Sequence, residues 1–220
     1  VRHHLALLLS ILLLFVIGPV VEDLPQGTVI MNALGVLVLA AGLYALRARR
    51  SLFTAAIVLS LISIIGTAVV HMTHQEWAAA FAYGCIIVLV VYFAVVILAY
   101  VLRGTAVTMD KIFAAVCVYL LIGFAWTFAY ALIDALQPGS FVIHAIGNSA
   151  QYIVRTREFR YFSFMTLTTV GYGDIVPAST TARTLAALEG VTGQIYLAVL
   201  VARLVGLHIV HAYTTAGRKD

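Results

Sequence analysis

The sequence predicts an all-α membrane protein. Six transmembrane helices are expected, with a short re-entrant helix and a glycine-containing loop between the fifth and the sixth. Three observations carry this. Of 220 residues, 63% are hydrophobic and only 10% are charged, the balance of a polytopic membrane protein and not of a soluble domain. Uncharged apolar runs long enough to cross a bilayer recur at residues 5–21, 28–46, 52–70, 77–102 and 112–133, and a sixth at 184–202 is interrupted only by Glu189. Between the last two runs lies an aromatic-rich segment, residues 159–164, then Thr168-Thr169-Val170-Gly171-Tyr172-Gly173-Asp174 and Pro177.

The first run follows Arg2 and is rich in leucine, as a secretory signal would be. Pro19 and Val20-Val21 stand where a small-x-small cleavage site should lie, so the run is read as a span that is retained. Runs two to four complete a four-helix region, residues 1–104. A cytoplasmic linker, 105–111, leads to a second region, 112–212, and a short tail, 213–220. With six spans threaded in order, Arg2, Arg47, Arg49, Arg50, Arg103, Lys111, Arg218 and Lys219 fall on one side of the membrane. The loops 22–27 and 71–76 on the other side hold three acids and no Lys or Arg. Both termini are therefore expected to be cytoplasmic. Arg155, Arg157, Arg160 and Arg183 are the exceptions and flank the loop on the outer side. The net charge of +4 thus reflects topology. The basic residues are scattered, and no nucleic-acid partner is expected. Cys85 and Cys117 lie inside apolar runs and read as packing residues. No soluble ligand-binding domain is expected, and no soluble-enzyme constellation is present.

The second region divides into an outer helix, 112–133, an extracellular turret, 136–157, with a turn at Pro138-Gly139, a short helix, 159–168, and an inner helix, 178–211. On a straight inner helix Gln194, Leu197, Val201 and Val205 share one stripe, read as facing a central cavity and inner gate. Glu189 lies five residues before Gln194 and is rotated away, toward the short helix or a neighbouring subunit. An intramembrane carboxylate is a functional candidate, and a buried one must be hydrogen-bonded or protonated. Thr166 and Thr168 offer hydroxyls, and Glu189 is expected to brace the loop from behind. A purely structural glutamate is the alternative. Gly193 and Gly206 are either points of flexibility or positions of close helix packing. Arg203, off the stripe, reads as snorkelling or packing near the cytoplasmic mouth. His71 with His74, and His208 with His211, are spaced three apart, but no cysteine or carboxylate completes a metal-ligand set.

The loop itself carries the chemistry. Glycine tolerates positive φ, so two glycines alternating with Val170 and Tyr172 allow successive carbonyls to point one way. Stacked rings of such carbonyls can replace the water shell of K⁺. One chain supplies one carbonyl per layer, so a fourfold ring needs four copies. This string and its setting resemble the selectivity filter of potassium channels, in detail over residues 109–210. The resemblance implies a homotetramer in a lipid bilayer, in the plasma membrane. It implies K⁺ bound at Thr169, Val170, Gly171 and Tyr172, with Gly173 completing the filter. Tyr161, Phe162, Thr168 and Asp174 are expected to support it, Tyr161 and Phe162 as an aromatic cuff behind Tyr172. Some potassium channels place a carboxylate six residues before the first filter glycine; here that place is Met165. The first four spans resemble a voltage-sensor region in number and order only, because residues 77–102 hold no charge. Strong voltage gating is therefore not expected. The alternatives are a poorly selective cation channel on the same scaffold, against which Tyr172 speaks, and a histidine-ligated membrane redox protein.

Overall fold

A computed structural model of the chain describes residues 3–21, 24, 26–47, 50–73, 75–103, 108–143 and 152–216. His74 and the side chains of His71, His208 and His211 lie outside what is described, as do residues 104–107 of the linker and 217–220 of the tail. The described helices are α1 (His3–Val21), α2 (Gly27–Leu46), α3 (Arg50–Thr73), α4 (Glu76–Leu102), α5 (Met109–Leu136), α6 (Tyr152–Leu167) and α7 (Thr180–Ala216). Two short strands, β1 (Phe141–Ile143) and β2 (Ile175–Pro177), flank α6 and the loop after it. Six of these helices, all but α6, are long and apolar enough to cross a membrane.

Local chemistry moves several boundaries away from the sequence expectation. α5 starts at Met109 because Thr108 caps it, its hydroxyl accepting from the Lys111 amide at 3.3 Å. Asp110 in the first turn suits the positive end of the helix dipole. The last three residues of the expected linker are therefore helical. α6 begins at Tyr152, seven residues before the short helix expected from residue 159. Those extra residues follow Tyr152-Ile153-Val154 with Arg155, Arg157 and Glu158, a polar turn that breaks any apolar period. The turret also contains a strand: β1 pairs antiparallel with β2, Phe141 opposite Pro177 and Ile143 opposite Ile175. The Ser140 carbonyl extends the link by accepting from the amides of Ala178 and Ser179.

α4 packs along α5, α3 along α4, and α1 between α2 and α5; α6 lies against α5 and α7. One apolar core, including Leu7 and Ile11 of α1, Phe93 and Ile97 of α4, and Val118 and Leu121 of α5, runs through both regions of the chain. A second cluster, at the turret end, gathers Tyr83, Tyr130, Phe141, Phe159 and Phe162. A cavity of about 40 Å³ among α1, α2, α4 and α5 is lined wholly by apolar side chains, among them Leu7, Leu39, Leu89, Phe93 and Leu121. A polar junction joins α1, α4 and α5 at the other end. His4 Nδ1 lies 2.7 Å from Asp110 Oδ2, and the Tyr100 hydroxyl donates to the same oxygen at 2.9 Å. The His4 and Tyr100 rings stack at 4.7 Å.

Candidate functional site

The loop from Thr168 to Asp174 hangs from the C-terminus of α6 by main-chain hydrogen bonds. The last carbonyls of a helix lack intrahelical partners, and here the loop supplies them. Thr169 N donates to Thr166 O at 2.9 Å; Val170 N and Gly171 N both donate to Met165 O, at 2.9 and 3.2 Å. Thr168 closes the helix, its amide and its hydroxyl both donating to Phe164 O. Met165 therefore serves the loop through its backbone carbonyl.

Beyond that anchor the backbone changes hand at every second residue. Thr169, Gly171 and Gly173 have φ of +61°, +54° and +78°. Glycine takes these angles without penalty, but a β-branched threonine does not, and Thr169 stores about 1–2 kcal/mol of strain there. A residue held so must be over-determined by its surroundings, and the three amide bonds to α6 do this. The side chains between, Val170 and Tyr172, are 49% and 72% exposed in one chain.

At the outer end of the loop, Asp174 Oδ1 accepts from the Ile175 amide at 3.2 Å. Tyr161, on α6, hydrogen-bonds to the Asp174 carboxylate, and this bond is the main reason its phenol is pushed up to about 12. Phe162 lies elsewhere. It is buried in the aromatic cluster on the α5 side, its ring 5.0 Å from Tyr130 and 5.6 Å from Phe141. The two members of the expected cuff thus face different ways: Tyr161 reaches the loop, and Phe162 holds α6 to α5 and β1.

α7 starts at a Ser179 cap, whose hydroxyl accepts from the Ala182 amide at 3.2 Å, and runs unbroken through Gly193 and Gly206. Gln194, Leu197, Val201 and Val205 are all exposed on it. Gly193 faces the end of α6: a β-carbon there would sit 2.5 Å from the Leu167 carbonyl oxygen. Of the two roles open to this glycine, close packing is the one seen. A β-carbon at Gly206 would meet nothing within 4 Å. Arg203 donates to the Leu102 carbonyl at the end of α4.

Glu189 is fully buried. It faces α6, as its rotation from the stripe implies, but its partners are not Thr166 and Thr168. The Thr168 hydroxyl is engaged by Phe164 O. Glu189 meets the hydroxyls of Ser163 on α6 and Tyr130 on α5, each at 2.5 Å. Ser163 and Tyr130 were not singled out by sequence reasoning. They lie 26 and 59 residues from Glu189, and each sits in an aromatic-rich run that reads as packing. Their only sequence signal is a hydroxyl within an otherwise apolar setting.

Residues 132–208 match a family model described as an ion channel. The match runs from the end of α5 through β1, α6, the Thr168–Asp174 loop and β2 into α7. No curated protein and no solved structure matches the chain. The six long apolar helices and this match support an integral membrane protein that is similar to an ion-channel domain over residues 132–208.

Proposed function

We propose that the chain is the subunit of a homotetrameric, potassium-selective channel of the plasma membrane that conducts K⁺ passively and without strong voltage gating. The observation that carries this reading is the left-handed backbone at Thr169, Gly171 and Gly173, alternating with Val170 and Tyr172 in a loop between two spanning helices. Such alternation lets successive carbonyls face one side, and four copies around an axis give the oxygen cages a dehydrated K⁺ needs. The Thr169 hydroxyl would close the inner end. The C-terminus of α6, the negative end of its dipole, favours a cation beyond it.

α7 has the smallest buried share of the six candidate spans, 11%. Val170 and Tyr172, together with Val191, Ile195 and Val199 of α7, are large apolar side chains left uncovered, and a symmetric ring of copies covers such surfaces. K⁺ is the cargo of this site, and the oxygens offered to it come from backbone carbonyls and one hydroxyl.

The test is reconstitution of the full chain in planar bilayers with K⁺ on one side and Na⁺ on the other. The reversal potential is expected to follow K⁺, and Gly171→Ala or Gly173→Ala to abolish selective conduction, since a β-carbon opposes the left-handed conformation. Wild-type current reversing midway between the two ions would overturn the reading in favour of a poorly selective cation channel.

A further inference from the structure

The surroundings of Glu189 contain a proton count that does not close unless the carboxyl itself holds a proton. Tyr130 Oη lies 2.5 Å from Oε2, Ser163 Oγ lies 2.5 Å from Oε1, and the same Ser163 Oγ lies 2.7 Å from the Gly123 carbonyl oxygen. Three hydrogen bonds need three hydrogens. Tyr130 and Ser163 have one each, and a backbone carbonyl has none. With an ionised carboxylate, Ser163 can serve Glu189 or Gly123 but not both, and one close oxygen pair is left without a hydrogen between its members.

We infer that Glu189 is a neutral carboxylic acid and the positioning residue that seats the pore helix α6 between α5 and α7. Oε1–H donates to Ser163 Oγ, Ser163 donates onward to Gly123 O, and Oε2 accepts from Tyr130. The chain of bonds runs from α7 through α6 to α5. The groups around the carboxyl fit a neutral acid. From α6 it meets Ser163; from α5 it meets Tyr130, with the Tyr119 phenol also in electrostatic reach. All are neutral donors, and among the described residues no lysine, arginine or histidine pairs with it. A bare carboxylate with 0% exposure and no cation nearby is costly, whereas a satisfied neutral acid is not. Gly123 adds a second constraint at the same crossing: it accepts from Thr127 as well as Ser163, and its missing side chain makes room for Phe164. The protonation stands on these contacts alone. Its consequence for ion selection rests on the filter reading above.

Infrared spectroscopy of the full chain in lipid at neutral pH tests the first part. A protonated-carboxyl C=O stretch is expected in the wild type and absent from Glu189→Gln. Tyr130→Phe is expected to shift that band upward, because Oε2 loses its hydrogen bond. Permeation tests the second part. The side-chain amide that Glu189→Gln introduces can donate to Ser163 and accept from Tyr130, so this variant should keep a K⁺/Na⁺ permeability ratio near that of the wild type. Glu189→Ala strands the buried Tyr130 hydroxyl, leaves Ser163 bonded only to Gly123, and should lower that ratio by about tenfold. A wild type with no such band, a band indifferent to both variants, or Glu189→Gln as damaging as Glu189→Ala would each overturn the inference. A band that behaves as expected in a chain carrying no K⁺-selective current would leave the protonation intact and sink the filter reading instead.

Discussion

Gly193 sets how closely α7 approaches the end of α6. The 2.5 Å that a β-carbon would leave to the Leu167 carbonyl oxygen is an impossible contact, and the second neighbour, Leu167 Cδ1, stands at 2.9 Å. Gly193→Ala must therefore push α6, and the loop it carries, away from α7. Overpacking of this kind costs about 1–3 kcal/mol, so the variant is expected to lower the melting temperature of the assembly and to weaken ion selection. Gly206→Ala meets open space and should change stability by no more than about 0.5 kcal/mol. Harmless Gly193→Ala alongside impaired opening in Gly206→Ala would reverse these assignments. Tyr161 gives a second test at this scale. Its phenol is raised from 10.0 to about 12, chiefly by the bond to Asp174. A raised value means the contribution is fully present below pH about 10 and is lost only as pH rises through about 12. Tyr161→Phe should therefore speed the loss of conduction by the same factor throughout the neutral range, and a factor that changes between pH 6 and pH 8, on the order of tenfold in proton activity per unit, would assign the bond elsewhere. The sequence made Gly171, Gly173 and the burial of Glu189 legible, because backbone conformation and a charge in an apolar run are local signals. It left the role of Gly193 open and the partners of Glu189 wrong, because both depend on which helices cross.

Among the elements, α4 is the one whose likeness to a voltage sensor stops short. No charge lies between Trp77 and Leu102, and moving one elementary charge through 100 mV is worth about 2.3 kcal/mol. Conductance is expected to depend little on voltage; a steep conductance–voltage curve with a measurable gating current would contradict this. The end of α4 is nonetheless held to α5 and α7. Lys111 Nζ donates to the Arg103 carbonyl at 2.6 Å, and Arg203 of α7 donates to the Leu102 carbonyl. Cations at a helix C-terminus complement its dipole, so the end of α4 is tied to α5 and to the stretch of α7 between Val201 and Val205. Arg203→Met keeps the length of the side chain and removes its donors. It should shift single-channel open probability while leaving the reversal potential unchanged, and an unaltered open probability would show the tie to be passive. Six helices long and apolar enough to cross a membrane were readable from their apolar length alone. The β1–β2 pair and the first turns of α6 were not, since three-residue strands and a polar helical turn leave no periodic trace. The two strands are placed by pairing with each other across α6 and the Thr168–Asp174 loop.

At the scale of the molecule, the first four helices and α5 are not packed as separate bodies. Leu7, Phe93 and Val118 belong to one core, and His4, Tyr100 and Asp110 close its polar end. Composition and span order made the membrane class plain, but neither says which helices share a core. Removing residues 1–104 would strip α5 of this packing and leave Asp110 without His4 and Tyr100. Such a truncated chain is expected to assemble poorly even though its filter sequence is intact, and a tetramer of undiminished thermal stability would show the shared core to be dispensable. The same core has a consequence for heredity. Because it closes within a single chain, damage confined to the filter loop does not hinder a subunit from folding and competing for a place in the proposed ring. A cell making equal amounts of intact and Gly171→Ala chains would keep only about one-sixteenth of its tetramers free of a faulty copy, so such an allele would act dominantly, silencing far more channels than its share of the protein.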